Sequence, residues 1–196
     1  MPFTIMTNLG IKDRLGIADM LNDCGLTGSA AEIGVWLGHY SVPFLDRWRG
    51  DKMYLVDPWA KLPPEEYDDV RNTKFDPADY GRACEAFSRF GPRAEMVRMT
   101  SVRATEKVPD GLDFVYIDAN HAYEHVWRDM VWWWNKLAPK AVLAGHDAFS
   151  ISHPGVSRAV FEFAMCYDLP LELIKGDYDR HGNLYNDHSW LIRKGW

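Results

Sequence analysis

Five short apolar segments, each followed by a stretch with helical spacing, constrain the fold more than any other feature. The segments "AAEIGV", "KMYLVD", "AEMVRM", "LDFVYID" and "AVLAGHD" are mostly apolar, with only one or two charged residues in each. Strands buried on both faces have this composition, and they occur in parallel sheets that connecting helices cover on both sides. The alternation therefore predicts an α/β fold with a doubly wound, mostly parallel sheet.

The remaining elements are predicted from spacing and capping signals. Helices are expected at about 11–23, ended by Gly25, at 77–91, capped by Gly91, and near 155–167. The C-terminal part breaks the alternation, because "LELIKG" and "HSWLIRK" are both strand-like and the polar loop 177–187 joins them. These two strands predict an antiparallel pair that closes one edge of the sheet.

The long helix after "LDFVYID" has one apolar side and one polar side. Spacings of four and three place on the apolar side Tyr123, Trp127, Met130, Trp134 and Leu137. Trp132 falls instead on the polar side, with His125, Arg128, Asp129 and Lys136. Two interpretations remain open for Trp132: a lone exposed indole, or part of a homodimer interface.

Length, charge and cysteine content exclude several classes of protein. With 196 residues and 47% hydrophobic content, the chain is expected to form one domain, 1–196, around a single core. A net charge of -6 with no basic run argues against nucleic acid as a partner, and the apolar runs are too short for a membrane span. A small-molecule partner is therefore expected. Three scattered cysteines favour neither disulfides nor a zinc site, so we expect a cytoplasmic protein.

The segment "AEIGVWLGHYS" predicts a cofactor-binding turn. Glu32 ends a strand, and Gly34 and Gly38 bracket a turn into a helix where a ligand can approach the backbone. Asp57 ends the next strand, where a carboxylate can accept hydrogen bonds from the ribose hydroxyls of a nucleoside cofactor. The alternative for Asp57 is a cap or turn residue ahead of Pro58.

Two further strand tips carry residues suited to a metal and to proton transfer. Asp118 ends "LDFVYID" and Asp147 ends "AVLAGHD"; on neighbouring strands their carboxylates converge, as Mg²⁺ or another divalent cation requires. His121 is placed to take a hydroxyl proton near neutral pH. His146 is predicted to ligate a softer metal, to bind substrate or to hydrogen-bond the backbone. Helix capping is the alternative for Asp118, Asn120 and His121.

The combined motifs resemble a known family. "EIGVWLG", "LVDPW", "LDFVYIDANHAYEHV" and "VLAGHD" are similar, in this order, to class I S-adenosylmethionine (SAM)-dependent methyltransferases, in the small-molecule O-methyltransferase-like group with "IDxxHxYE" and "GHD" motifs (methyltransferase 24-like). The resemblance implies a Rossmann-like, seven-stranded sheet with an antiparallel last strand. It also implies roles in cofactor binding for Glu32, Gly34, Gly38, Asp57, Ser101 and Asp118.

Within that group, Glu32, Gly34 and Gly38 would border the methionine part of SAM, Asp57 would hold the ribose and Ser101 would lie near the adenine. A D-x-x-H arrangement in similar metal-dependent enzymes implies that Asp118 ligates the metal, with Asp147 and His146, and that His121 is the base. Some relatives have two acidic residues where this chain has His146 and Asp147.

The resulting prediction is O-methylation of a small molecule, assisted by a divalent metal. Three alternatives remain: a metal-independent SAM methyltransferase, a nucleoside-binding or NAD-binding Rossmann-like protein, and a catalytically silent binding protein. The acceptor is not predicted, but its pocket is expected to have walls from segments 58–91 and 177–188, which lie outside the regular βα units.

Overall fold

The structure, a computed structural model, describes residues 4–7, 10–63, 75–178 and 184–196. Parts of both predicted acceptor walls, residues 64–74 and 179–183, lie outside the described residues. Within the described residues, no helix is both long and apolar enough to cross a membrane.

Within the described residues, ten strands and six helices alternate along most of the chain. The strands are β1 (Ile5–Thr7), β2 (Ser29–Ile33), β3 (Lys52–Asp57), β4 (Ala94–Arg98), β5 (Leu112–Ile117), β6 (Leu137–Ala148), β7 (Leu171–Ile174), β8 (Asp177–Tyr178), β9 (Leu184–Asn186) and β10 (His188–Arg193). The helices are α1 (Gly16–Asp23), α2 (Ser41–Arg47), α3 (Asp79–Phe87), α4 (Ser101–Lys107), α5 (Tyr123–Lys136) and α6 (Pro154–Cys166). A 3-10 segment, Ser88–Arg93, follows α3.

Eight of the strands form one sheet in the order β1-β7-β10-β6-β5-β2-β3-β4. The central strands are parallel, while β10 lies between β6 and β7 and runs antiparallel to both. The predicted doubly wound, mostly parallel sheet with an antiparallel C-terminal strand is thus confirmed. The eighth strand is β1, which pairs parallel to β7 and occupies the edge that the C-terminal pair was expected to close.

The strand order reverses between β2 and β5. From β2 the chain adds β3 and β4 on one side, and β5 and β6 then continue on the other side of β2. In open α/β sheets, ligands bind beyond the carboxyl ends of the strands at this reversal. The register brings Ile33 opposite Ile117, and Ile117 opposite Gly145, so the residues that come next on the three strands, Gly34, Asp118 and His146, lie side by side.

Two apolar clusters pack on the sheet, one on each face. One contains α5 and α6 residues such as Met130, Trp133 and Phe163, and the other contains Ile17 and Phe44 from α1 and α2. Tyr40 stacks on Tyr116 with ring centroids 3.8 Å apart, which ties the turn after β2 to β5 directly beneath the reversal point. Burying each large apolar side chain of these two clusters contributes about 1.5 to 3 kcal/mol to the free energy of unfolding.

Several local expectations differ from the structure. The first helix begins at Gly16 rather than Ile11, because Asp13 Oδ1 accepts hydrogen bonds from the N–H groups of Leu15 and Gly16 and holds a turn there. Gly91 has a φ of 55°, but it lies within the 3-10 segment, four residues beyond the end of α3. The C-terminal loop contains the short antiparallel pair of β8 and β9.

On α5, Asp129 is buried, although the helical wheel placed it on the polar side; Trp132 is 48% exposed, on the polar side as predicted. Met130 and Leu137 are buried, while Tyr123, Trp127 and Trp134 are partly buried and pack against the same cluster.

Candidate functional site

A cavity of about 640 Å³ lies at the reversal point, above the carboxyl ends of β2, β3, β5 and β6. Its acidic, basic and imidazole side chains are those of Arg14, Glu32, His39, Asp57, Asp79, Asp118, His146, Asp147, His153 and Asp187. Six of these are carboxylic acids, and among the described lining residues Arg14 is the one permanent cation. Such a lining favours ligands that carry positive charge, including a sulfonium group or a metal ion.

Glu32 lies at the floor of this cavity. Its side chain is 2% exposed, and its Oε2 atom has no hydrogen-bond partner within the described part of the chain. Burial, reinforced by the charge of Asp118, raises the pKa of the Glu32 carboxyl well above its ordinary value. A buried acceptor without a partner is costly, so its retention at a cavity is typical of a binding group.

The glycines of the turn are required by packing. Gly34 has a φ of 91°, and a Cβ there would lie 2.0 Å from the carbonyl oxygen of Asp118. Gly38 has a φ of 80°, and a Cβ there would lie 2.6 Å from the ring of Phe87. Gly34 also lines the cavity, whereas Gly38 is not among the lining residues. The missing side chains therefore allow β5 and α3 to approach the turn.

Asp57 holds the turn from the tip of β3. Its Oδ2 atom accepts a hydrogen bond of 2.9 Å from the backbone N–H of Trp36, and its Oδ1 atom accepts one of 2.7 Å from that of Trp59. Burial raises the pKa of Asp57, and the N–H donors, which include Val35, oppose that rise. A carboxylate has about four acceptor positions, so roughly one remains for a ligand hydroxyl.

Ser101 lines the cavity at the start of α4, but its hydroxyl is engaged behind the cavity wall. Its Oγ atom donates to Asp129 Oδ1 at 2.6 Å and accepts from Trp133 Nε1 at 2.8 Å. This contact explains why Asp129 is buried within a charged helix face. Burial raises the pKa of Asp129 to about 6, against the hydrogen bond from Ser101.

The tips of β5 and β6 bring together Asp118, His146 and Asp147. One potential ligand atom from each lies within 4.8 Å of the other two, as the pairing of the two strands predicts. His146 Nδ1 is 3.2 Å from Asp147 Oδ1, and its Nε2 atom is buried without a hydrogen-bond partner among the residues described. Two carboxylates and an imidazole with an unsatisfied nitrogen fit a divalent metal ion.

Asp147 is the centre of this cluster. Its φ is 60°, which is unusual for a residue with a side chain and turns the chain sharply at the end of β6. Its Oδ2 atom lies 2.9 Å from His121 Nε2, while Oδ1 faces His146. Burial alone would raise the pKa of Asp147, but the imidazoles of His121 and His146 beside it hold that pKa well below its ordinary value. The group is therefore ionised near neutral pH.

His121 packs behind the cavity wall. Its residue is 6% exposed and is not among the lining residues, and its Nε2 atom is 3.8 Å from Asp118 Oδ1. Its ring stacks on that of His153, with centroids 4.0 Å apart, and His153 does line the cavity. His121, Asp147 and His153 form a second group whose ligand atoms lie within 4.8 Å of one another. Asn120 Oδ1 accepts a hydrogen bond from the N–H of Ala122, a local turn at the start of α5.

Sequence reasoning missed several cavity residues, among them Arg14, Trp36, Trp59, Asp79 and His153. Trp36 and Trp59 both have positive φ, and they interlock through a hydrogen bond from Trp59 Nε1 to the Trp36 carbonyl oxygen. Trp36 Nε1 in turn donates to Asp79 Oδ2 at 3.0 Å. The high tryptophan content was the one available signal, but it does not distinguish a cavity wall from the core.

A parallel sheet with a cavity at its reversal point and a carboxylate on the second strand defines the class of α/β proteins that bind nucleoside-containing cofactors. A family profile described as a methyltransferase domain matches residues 31–148, from β2 through the end of β6. This match covers more than half of the chain, and the chain belongs to this methyltransferase domain family.

Solved structures show the same fold at low identity. The O-methyltransferase NovP is 15% identical with a TM-score of 0.68, over 93% of this chain and 78% of NovP. The O-methyltransferase TomG from Streptomyces achromogenes, involved in tomaymycin synthesis and solved with SAM, is 15% identical with a TM-score of 0.63, over 91% and 78% of the two chains. An O-methyltransferase from Bacillus cereus, solved with S-adenosylhomocysteine (SAH), is 13% identical with a TM-score of 0.64, over 91% and 79%.

A search of curated protein sequences gives no significant match. By domain and fold, the chain is a SAM-dependent methyltransferase.

Proposed function

We propose that the protein transfers the methyl group of SAM to a hydroxyl of a small molecule, assisted by a divalent metal ion. The observation that carries this proposal is the convergence of Asp118, His146 and Asp147 at the cavity of a methyltransferase domain. The scattered free cysteines, Cys24, Cys84 and Cys166, support a reducing, cytoplasmic location. Residues 1–196 would act as one domain.

The half of the cavity around β2 and β3 would bind the donor. Glu32, with its unpartnered oxygen, would accept a hydrogen bond from the ammonium of the methionine part of SAM, near Gly34 and Gly38. Asp57 would accept from a ribose hydroxyl, and Ser101, at the start of α4, would lie near the adenine. Arg14 lines the cavity beside the rings of Tyr40 and Tyr116, and its guanidinium would bind the carboxylate of the methionine part.

The half around β5 and β6 would bind the acceptor. Asp118, His146 and Asp147 would hold the metal ion, which when bound would lower the pKa of the acceptor hydroxyl. The side chains of Leu62, Phe75 and Asp187 reach the cavity from the two predicted acceptor walls. Fixing donor and acceptor in one cavity supplies orientation, which alone can be worth about 7 to 11 kcal/mol of the barrier.

The proton of the acceptor would go to the stacked imidazoles. His121 is the proposed base, because Asp147 holds its Nε2 atom and supports the imidazolium that forms. Because His121 does not line the cavity and a ring stack cannot carry a proton, the proton would reach His121 through water, beside the ring of His153, which does line the cavity. As the proton leaves the hydroxyl, the oxygen forms its bond to the methyl carbon and the sulfur keeps the electron pair of the broken bond.

Methyl transfer from radiolabelled SAM to a panel of hydroxylated metabolites tests this proposal, with and without a chelator. We expect activity that the chelator abolishes, and losses of about 10²-fold or more in His121→Asn and His153→Asn. Activity that survives chelation would favour the metal-independent reaction. Calorimetry with SAH and NAD side by side tests the cofactor, and binding of NAD without SAH would overturn the proposal.

A further inference from the structure

The cation site in the proposed function contains an unusually large share of imidazole. Three histidines and two aspartates form two groups that share Asp147: one with Asp118 and His146, the other with His121 and His153. Asp147 faces the groups with different oxygens, since Oδ1 is nearer His146 and Oδ2 is nearer His121. Whichever part of the cluster a cation occupies, an imidazole nitrogen lies within its reach.

His146 is fixed in place by the elements around it. The preceding residue is Gly145, where a Cβ would lie 2.5 Å from both the Ile117 carbonyl oxygen and the ring of Trp190. Trp190 Nε1 also donates to the His146 carbonyl oxygen at 3.1 Å. The His146 side chain is only 10% exposed, so its packing keeps it beside the two carboxylates.

The chemistry of these ligands discriminates between metal ions. Mg²⁺ binds oxygen ligands, keeps much of its water and gains little from an imidazole, whereas Co²⁺, Ni²⁺ and Zn²⁺ bind imidazole nitrogen strongly. A histidine in place of a carboxylate also removes one negative charge, which weakens the attraction for a hard cation more than for an ion that bonds to nitrogen.

We infer that the site selects a transition-metal ion of the Co²⁺ or Zn²⁺ type over Mg²⁺, with a ring nitrogen of His146 as a ligand. This inference rests on the cation site of the proposed function. It assigns to His146 the ligand role among the three that the sequence left open, and it identifies the class of the metal.

Dissociation constants of the metal-free, full-length protein for Co²⁺ and for Mg²⁺ test the inference without an activity assay. Most protein sites bind Co²⁺ more tightly than Mg²⁺. The decisive quantity is therefore the change that a substitution of His146 causes in the ratio of the two dissociation constants. We expect His146→Asp to lower the preference for Co²⁺ by about tenfold or more, and to weaken the visible absorption of bound Co²⁺. Circular dichroism and SAH binding verify that the variant is folded.

His125→Asn is the matched control, because His125 lies on α5 beside Arg128 and away from the cavity. It should leave the ratio unchanged. The inference is overturned if His146→Asp leaves the ratio as it is in the wild type, if Mg²⁺ binds the wild type as tightly as Co²⁺, or if neither ion binds. Failure of the methyl-transfer proposal is separate: it would appear as absent SAH binding or absent transfer in a protein that still prefers Co²⁺ through His146.

Discussion

The two halves of the cavity treat their carboxylates differently. On the β2 and β3 side, Asp57 accepts hydrogen bonds from backbone N–H groups, which are fixed and do not titrate. On the β5 and β6 side, Asp147 lies against the rings of His121 and His146, which can gain or lose protons and bind metals. The first half is therefore suited to holding a ligand in a fixed position, and the second half has the groups that proton transfer and metal binding require.

If this division is correct, substitutions in the two halves should affect different measurements. Those around β5 and β6 should lower turnover and metal binding while SAH affinity is retained. Those around β2 and β3 should weaken SAH binding while metal binding is retained.

Asp147→Asn should have the largest effect. The amide cannot support the imidazolium of His121 or donate charge to a metal, so we expect kcat to fall by about 10³-fold, with SAH affinity within about threefold of the wild type. Steady-state kinetics and calorimetry measure the two quantities. Asp46→Asn, which alters an exposed ion pair with Arg89, is the control. A loss of SAH binding equal to the loss of turnover would contradict the division.

Asp129→Asn should change how stability depends on pH. The pKa of Asp129 is about 6 in the folded protein and about 3.9 when unfolded. The folded state therefore binds the extra proton between these values, and the free energy of unfolding falls as pH rises through that window, by about 3 kcal/mol. Because asparagine does not titrate, the variant should gain about that much relative to the wild type between about pH 4 and about pH 7.

Urea unfolding at the two pH values gives this difference directly. Asp46→Asn, an exposed site, should follow the wild type at both. If the wild type and Asp129→Asn differ by the same amount at both pH values, Asp129 is ionised in the folded protein and the buried network with Ser101 has been misassigned.

Asp57→Asn should have a moderate effect, confined to the donor half. In the wild type, one carboxylate oxygen of Asp57 accepts a hydrogen bond from Trp36 and the other accepts one from Trp59. Asparagine replaces one of these oxygens with an NH₂ group, which cannot accept, so one of the two bonds is lost and the turn shifts. Charge-assisted hydrogen bonds are worth about 1.5 to 3 kcal/mol, so SAH affinity should fall by about 10- to 100-fold. Calorimetry with SAH and Co²⁺ measures both sites, and a fall in Co²⁺ affinity of the same size would show that the halves are not independent.

The sequence predicted the framework of both halves, because apolar strands with polar tips leave few alternatives. The meeting of Asp118 and Asp147 followed from placing β5 beside β6. The sequence also predicted the glycine turn, on the argument that glycines let a ligand approach the backbone. In the structure, the space above Gly34 is filled by the backbone of Asp118 rather than left open.

Other features depend on tertiary contacts that no local pattern encodes. The chain leaves β6 towards His153 by way of Asp147 and Phe149, which both have a φ of 60°, and this conformation cannot be read from their residue types. Asp129 looked like a surface residue because its partner, Ser101, lies on another helix. The edge strand β1 is three residues long and too short to show a period.

Trp132→Gln should have the smallest effect. Trp132 is 48% exposed on α5, among charged residues and away from both halves of the cavity. Substitutions at such positions usually change the free energy of unfolding by no more than about 0.5 kcal/mol, and turnover and SAH affinity should match the wild type. Light scattering distinguishes the two interpretations of this residue: equal masses for wild type and variant indicate a lone exposed indole, whereas a variant with half the mass of the wild type would place Trp132 in a homodimer interface.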